Sequence, residues 1–314
     1  TVNPCIKAAM KASPHTFDSL ISDKLTADML PNFIYGSYIG LAVTVFGLVP
    51  TITAMFGKSI LPSLAESCAK NDKKAMQSGL TKMLIVTSII AIPAGMGIAV
   101  LSEPILRFLF GGRETEIQVC IMPMSILGIA VIFLAIATPC FAILQTLGKP
   151  HKAIIIMLAG GIIKLFLNII LIRQPIINIS GAAISTLVSE VFICVLSVRS
   201  VCKMTDLKPK VSEIFVKPTY AAIMCSVTAI LSHETLTKIA HLQINHRFVT
   251  LFSIGIGSTM YFFCLYLLYK NVQQKRFKFM KKDTTKSAEQ IVFEKVKSAL
   301  YKRRLAPGTA LTEQ

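Results

Sequence analysis

The stretch "ILQTLGKPHKAIIIMLAGGIIKLFLNIILI", residues 143–172, decides the fold. From Ala153 to Ile172 it runs through 20 residues with a single charge, Lys164. A helix of about 20 apolar residues crosses the hydrocarbon core of a bilayer, so this segment reads as a membrane span. Lys164 lies eleven residues beyond Ala153, which is about 16 Å along a helix rising 1.5 Å per residue. Lysine snorkels to water only from near a helix end, and a central lysine costs roughly 2.5–3.5 kcal/mol to insert. An internal partner is therefore expected. Asn168 follows one helical turn later on the same face.

Working outward, six more runs have the same character. The seven predicted spans are Tyr35–Leu61, Thr81–Leu101, Val119–Leu144, Ala153–Ile172, Ile179–Val201, Phe215–Ser232 and Phe248–Tyr269. The whole chain of 314 residues is 53% apolar and 16% charged, with mean hydropathy +0.64, whereas soluble domains carry about 25% charged residues. The expected fold class is all-α, a polytopic transmembrane helix bundle with a short soluble helical tail. The eight cysteines form no CxxC pair, and five of them lie in or beside apolar runs. They read as small packing residues, and no metal or other cofactor is expected.

Lysine and arginine alternate between loops. Loops 62–82, 145–152, 199–217 and 270–282 hold 17, and loops 102–118, 173–178 and 233–247 hold 5. The basic side is predicted to be cytoplasmic, so the C-terminus is cytoplasmic and the chain is multi-pass in the cytoplasmic membrane. Residue 1 is threonine and no signal peptide follows. The chain is expected to begin partway through something longer.

Several spans contain proline: Pro50 in the first, Pro93 in the second, Pro139 in the third. Proline removes a backbone donor and bends a helix, and in a membrane the freed carbonyl must find another partner or line a cavity. They fit either a bent, packed bundle or a set of helix hinges. Mid-span charge recurs in the fifth span, where Glu190 stands eleven residues beyond Ile179. The fourth and fifth spans are joined by a short connection and should be antiparallel neighbours. A Lys164–Glu190 pair is expected, with Asn168 completing its hydrogen bonds. It reads either as an ion pair that holds two helices or as the lining of a hydrated transport cavity that handles a coupling ion.

Three segments carry a family resemblance. "GLVPTITAMFGKSILPSLAE" (47–66), "LQTLGKPHKAIIIMLAGGIIKLFLNIILI" (144–172) and "INISGAAISTLVSE" (177–190) resemble the C-terminal lobe of polysaccharide and lipid-linked oligosaccharide exporters. These belong to the multidrug/oligosaccharidyl-lipid/polysaccharide (MOP) flippase superfamily. The branch resembled is the stage V sporulation protein B type, related to the lipid II flippases. The likeness covers about residues 17–275 and includes that family's loop of Gln145, Gly148, Lys149 and Pro150. It implies a 14-helix transporter of which residues 26–275 form the C-terminal lobe, residues 1–25 a remnant of the preceding helix, and a missing N-terminal lobe the other cavity wall. The implied cargo is an undecaprenyl-linked cell-wall or capsule precursor, flipped by an ion gradient or the membrane potential. The implied partners are that lipid-linked glycan and membrane lipids. Lipid II flippases carry a cavity arginine a few residues before the equivalent of Pro50. Here the neighbourhood is "GLAVTVFGLVP" (40–50), which counts against lipid II itself as cargo.

Residues 276–314 form a basic tail. Its stretch "KSAEQIVFEKVKSALYKRRLAPGTALTEQ" (286–314) resembles the start of a GntR-type winged-helix repressor. DNA becomes a partner only if that tail continues into a full winged helix. Two further functions stand beside the flippase: a multidrug or cation antiporter of the same superfamily, and a membrane-fused fragment of a GntR-type regulator. Antiporters of that kind usually have twelve helices, which the two spans at 215–232 and 248–269 exceed. No nucleophile–base constellation points to an enzyme.

Overall fold

The computed structural model describes residues 2–13, 26, 28–70, 72–205, 212–240 and 249–267. Their regular structure is helical throughout. In chain order the helices are α1 (Val2–Ala12), α2 (Leu30–Ala69), α3 (Lys73–Val100), α4 (Ser102–Phe110), α5 (Glu114–Thr146), α6 (Pro150–Leu171), α7 (Ile179–Thr205), α8 (Lys217–Ala240) and α9 (Val249–Leu267). Seven of them are long and apolar enough to cross a membrane, one at each expected position. The chain divides into two compact units, Thr1–Phe263 and Cys264–Gln314. Only the last turn of α9 represents the second unit among the described residues, so the expected winged-helix start lies outside them.

Helix ends follow local chemistry. Asp72 caps α3 by accepting the Ala75 amide at 3.0 Å. Gly111 and Gly112 end α4, with Gly112 at φ +97°. Glu103, Arg107 and Glu114 tie α4 to the start of α5: the guanidinium donates to Glu103 at 3.0 Å and to Glu114 at 2.6 Å. α2 is a single helix of 40 residues, about 60 Å long against a hydrocarbon core of about 30 Å. It therefore runs well past the expected Tyr35–Leu61 and carries Glu66 and Lys70, which pair at 2.6 Å, on its projecting end. Residues Tyr38–Val43 within it wind as a π-helix.

α5 is the hub, packing on α2, α3 and α7. Its buried side chains include Cys120, Met124, Leu127, Ile136, Cys140 and Ile143, so two cysteines there do serve as packing residues. α6 is peripheral. It packs mainly on α7 and buries only Ala153, Ile156 and Gly160. The rest of its apolar surface, such as Ile155, Leu158, Ile162 and Phe166, is exposed, as suits a helix bathed in lipid.

α2, α3 and α5 continue as helices through Pro50, Pro93 and Pro139. Pro93 leaves the carbonyl four residues back, that of Ile89, without its helical donor. The Tyr261 hydroxyl of α9 supplies one, donating to the Ile89 oxygen at 2.7 Å. Tyr261→Phe is thus expected to destabilise the protein by about 1–3 kcal/mol. In a Pro93→Ala background the restored amide takes over and the cost should shrink. Equal losses in thermal midpoint in both backgrounds would refute the link between proline and tyrosine.

Candidate functional site

The α6–α7 seam begins with a tight reversal. Residues 172–178 join the two helices through main-chain bonds such as Asn178 N to Gln174 O at 2.8 Å. Asn178 adopts φ +40°, a left-handed conformation that asparagine tolerates better than most residues. The helices are consequently antiparallel neighbours, as the short connection predicts.

Small residues set how closely they approach. A Cβ on Gly160 would collide with the Ile193 side chain. Ser189 donates to the Gly160 carbonyl at 2.9 Å, and the Ser185 hydroxyl bonds the Asn168 amide oxygen. Gly160 thus lies against Ile193 and Asn168 against Ser185, eight residues apart on both helices. That register sets Ser189 level with Lys164 and places Glu190 about 100° further round α7.

The consequence for the expected pair is specific. Lys164 is half-buried and Glu190 is 9% exposed, both along one seam. No ammonium–carboxylate approach within 4.0 Å joins them among the described residues. Glu190 Oε2 is buried without a hydrogen-bond partner. Asn168 does not complete the pair, which corrects that expectation. Its oxygen is turned to Ser185, because the closest helix approach falls on the serine stripe rather than on Glu190. Ser185 and Ser189 are absent from the sequence-based expectations, although Gly181, Ser185 and Ser189 recur every four residues in the pattern of close-packed membrane helices.

The remaining expected site residues lie elsewhere. Pro50 and Pro139 are buried and Pro93 half-buried. Pro139 marks a close approach of α5 to α2, where a Cβ on Gly57 would stand 2.8 Å from the proline ring. Gln145, Gly148, Lys149 and Pro150 form the α5–α6 turn. The Gly148 amide donates to Gln145 O at 3.0 Å and the Lys149 amide to Leu144 O at 3.0 Å. This is a Schellman end, with Gly148 at φ +72° and Pro150 opening α6. Fourteen residues of α6 separate Pro150 from Lys164, about 21 Å, so loop motif and charged seam are distinct places.

A third feature is an apolar cleft of about 440 Å³ among α3, α8 and α9. Ile89, Pro93, Gly97, Ala229, Ile254 and Tyr261 help to line it.

Comparison with known proteins agrees with this architecture. The chain is 26% identical to the probable low-salt glycan biosynthesis flippase Agl15 of Haloferax volcanii, covering 78% of this chain and 50% of that protein. It is 26% identical to the lipid II flippase MurJ of Bacillus subtilis, over 43% of this chain and 25% of that one. It is 22% identical to stage V sporulation protein B of Bacillus subtilis, over 57% and 34% respectively. The chain therefore spans between a quarter and a half of the length of these relatives. Residues 34–244, two thirds of the sequence, match the family described as lipid II flippase MurJ, and the chain belongs to that family.

Proposed function

We propose that this chain is the membrane half of a flippase for a polyprenyl diphosphate-linked glycan, and that it works with a second helical lobe rather than alone. Its basic loops face the cytoplasm, and transport is driven by an ion gradient or the membrane potential. The observation that carries this reading is the charged seam. A buried carboxylate with one oxygen unpartnered, one helix away from a half-buried lysine, is costly inside a membrane and serves where ions or polar groups pass. Lys164 and Glu190 are the coupling residues in this reading, and Asn168 with Ser185 positions the helix that bears the lysine. Pro50, Pro93 and Pro139 are the points about which the helices flex. The apolar cleft suits the hydrocarbon chain of such a cargo. The likeness to a glycan biosynthesis flippase and a lipid II flippase supports the cargo class, and the greater length of those relatives supports the second lobe.

The test uses the full chain in liposomes with an undecaprenyl diphosphate-linked sugar bearing a photoreactive group in its tail. Crosslinks are expected at Ile89, Pro93 and Ile254, several-fold above those from phosphatidylcholine carrying the same group. Equal labelling by the two lipids would overturn the cargo assignment.

A further inference from the structure

The ends of α2, α3 and α7 and the α5–α6 turn enclose a cleft of about 490 Å³. Lys73, Lys149, Lys152 and Lys203 line it, with Asp72 as the one carboxylate among the lining residues. Asp72 is already engaged as the cap of α3. No described carboxylate pairs with Lys149, Lys152 or Lys203. The N-termini of α3 and α6 both open here, and α6 has no side-chain cap. The positive end of α6 adds to the ammonium charges, and together these favour a tetrahedral oxyanion. The frame is firm. Gln77 on α3 donates to the Thr205 carbonyl at the end of α7 at 3.2 Å, and the Schellman turn fixes Lys149. Because the walls are the terminal turns of membrane spans, the cleft lies at the level of the lipid headgroups.

We propose that this cleft binds a phosphate-bearing anion. Its two possible sources are the headgroup of an anionic phospholipid and a free diphosphate from the aqueous side. Four ammonium groups drawn from three separate segments, α3, the α5–α6 turn with the first turn of α6, and α7, converge on one space. Charge serving orientation alone has no need of such convergence, since topology depends on the number of basic residues in a loop and not on their meeting. Basic pockets between membrane helices on one face of the bilayer bind lipid phosphates by the same physics. The inference holds whatever cargo the chain moves.

The test uses the purified full chain in two arms. In one, mixed micelles hold equal phosphatidylcholine and phosphatidylglycerol, and native mass spectrometry reads the retained lipid. In the other, the micelles hold phosphatidylcholine alone and sodium diphosphate is added. Preferential retention of phosphatidylglycerol identifies the membrane source, and a diphosphate adduct identifies the soluble one. Either signal should fall about tenfold in the triple variant Lys149→Gln, Lys152→Gln, Lys203→Gln. It should persist in Lys74→Gln, Lys82→Gln, Arg199→Gln, which removes as much charge from exposed positions at the same end of the bundle. The matching Lys→Arg triple, which preserves charge and bulk, should keep the signal and so separates binding from folding. No preference in either arm, or equal loss in the two glutamine triples, overturns the proposal.

Discussion

Lys164→Glu is expected to abolish accumulation of folded protein, and Glu190→Lys added to it should restore a substantial part. Glu190 is buried on α7, and Lys164 is half-buried on the neighbouring α6. Reversing Lys164 puts a second carboxylate on the seam and takes away the cation nearest the buried Glu190, and leaving a buried charge uncompensated typically costs about 3–5 kcal/mol. The insertion cost of a charge near mid-helix, roughly 2.5–3.5 kcal/mol, is of similar size. A loss of this size takes up much of the roughly 5–15 kcal/mol by which a folded protein is stable. The double swap recovers attraction with the signs exchanged. Recovery should be incomplete, because the register sets Ser189 rather than Glu190 level with position 164 and a lysine at 190 will not reach the same geometry. Lys164→Leu with Glu190→Leu removes both charges and should match or exceed the swap in stability. Yield of monodisperse protein and thermal midpoint in one detergent read all four variants. A double swap no better than its worse parent would show that the two charges act independently.

The second large effect is steric. α3 and α5 touch backbone to backbone around Gly95, Ala99 and Gly128. A Cβ on Gly128 would stand 2.8 Å from both the Ala99 Cα and the Gly95 carbonyl oxygen and would press on the Ala99 amide. None of these atoms is the free end of a side chain, so the helices must separate. Gly128→Ala should cost about 3 kcal/mol, at the upper end of overpacking effects. Gly97, two residues from Gly95 on the same helix, has nothing within 4 Å of where a methyl group would stand. There the usual helix preference for alanine over glycine should apply, and Gly97→Ala should stabilise by about 0.5–1 kcal/mol. The two substitutions are chemically identical, so thermal midpoints shifted in the same direction would contradict the packing.

The span count, the antiparallel α6–α7 neighbours and the sharing of one seam by Lys164 and Glu190 are all legible in the sequence. Each rests on local information: run length, loop length and position within a run. Helix ends are less legible. α2 extends beyond Leu61 through polar residues because a helix leaving the membrane no longer needs apolar side chains, so hydropathy loses it there. α4 is too short to show as a span, although Glu103 and Arg107 stand at the i,i+4 spacing of a helix pair. The partner of Asn168 is hidden because it depends on register. Register is fixed by how closely Gly160 lets the helices meet, and that follows from packing. Tyr261 lies 172 positions from Ile89, too far for any local pattern to connect it with Pro93.

The seven-residue reversal at 172–178 bears on biogenesis. α6 emerges from the ribosome before α7 and presents Lys164 to the translocon with no counter-charge yet made. Partitioning α6 alone therefore carries the full penalty of a cation in hydrocarbon. Since the link is so short, the two segments can enter lipid together as a helical hairpin, with Glu190 delivered while α6 is still at the lateral gate. Commitment of the fourth span to the bilayer is thus deferred until about 20 further residues have been synthesised.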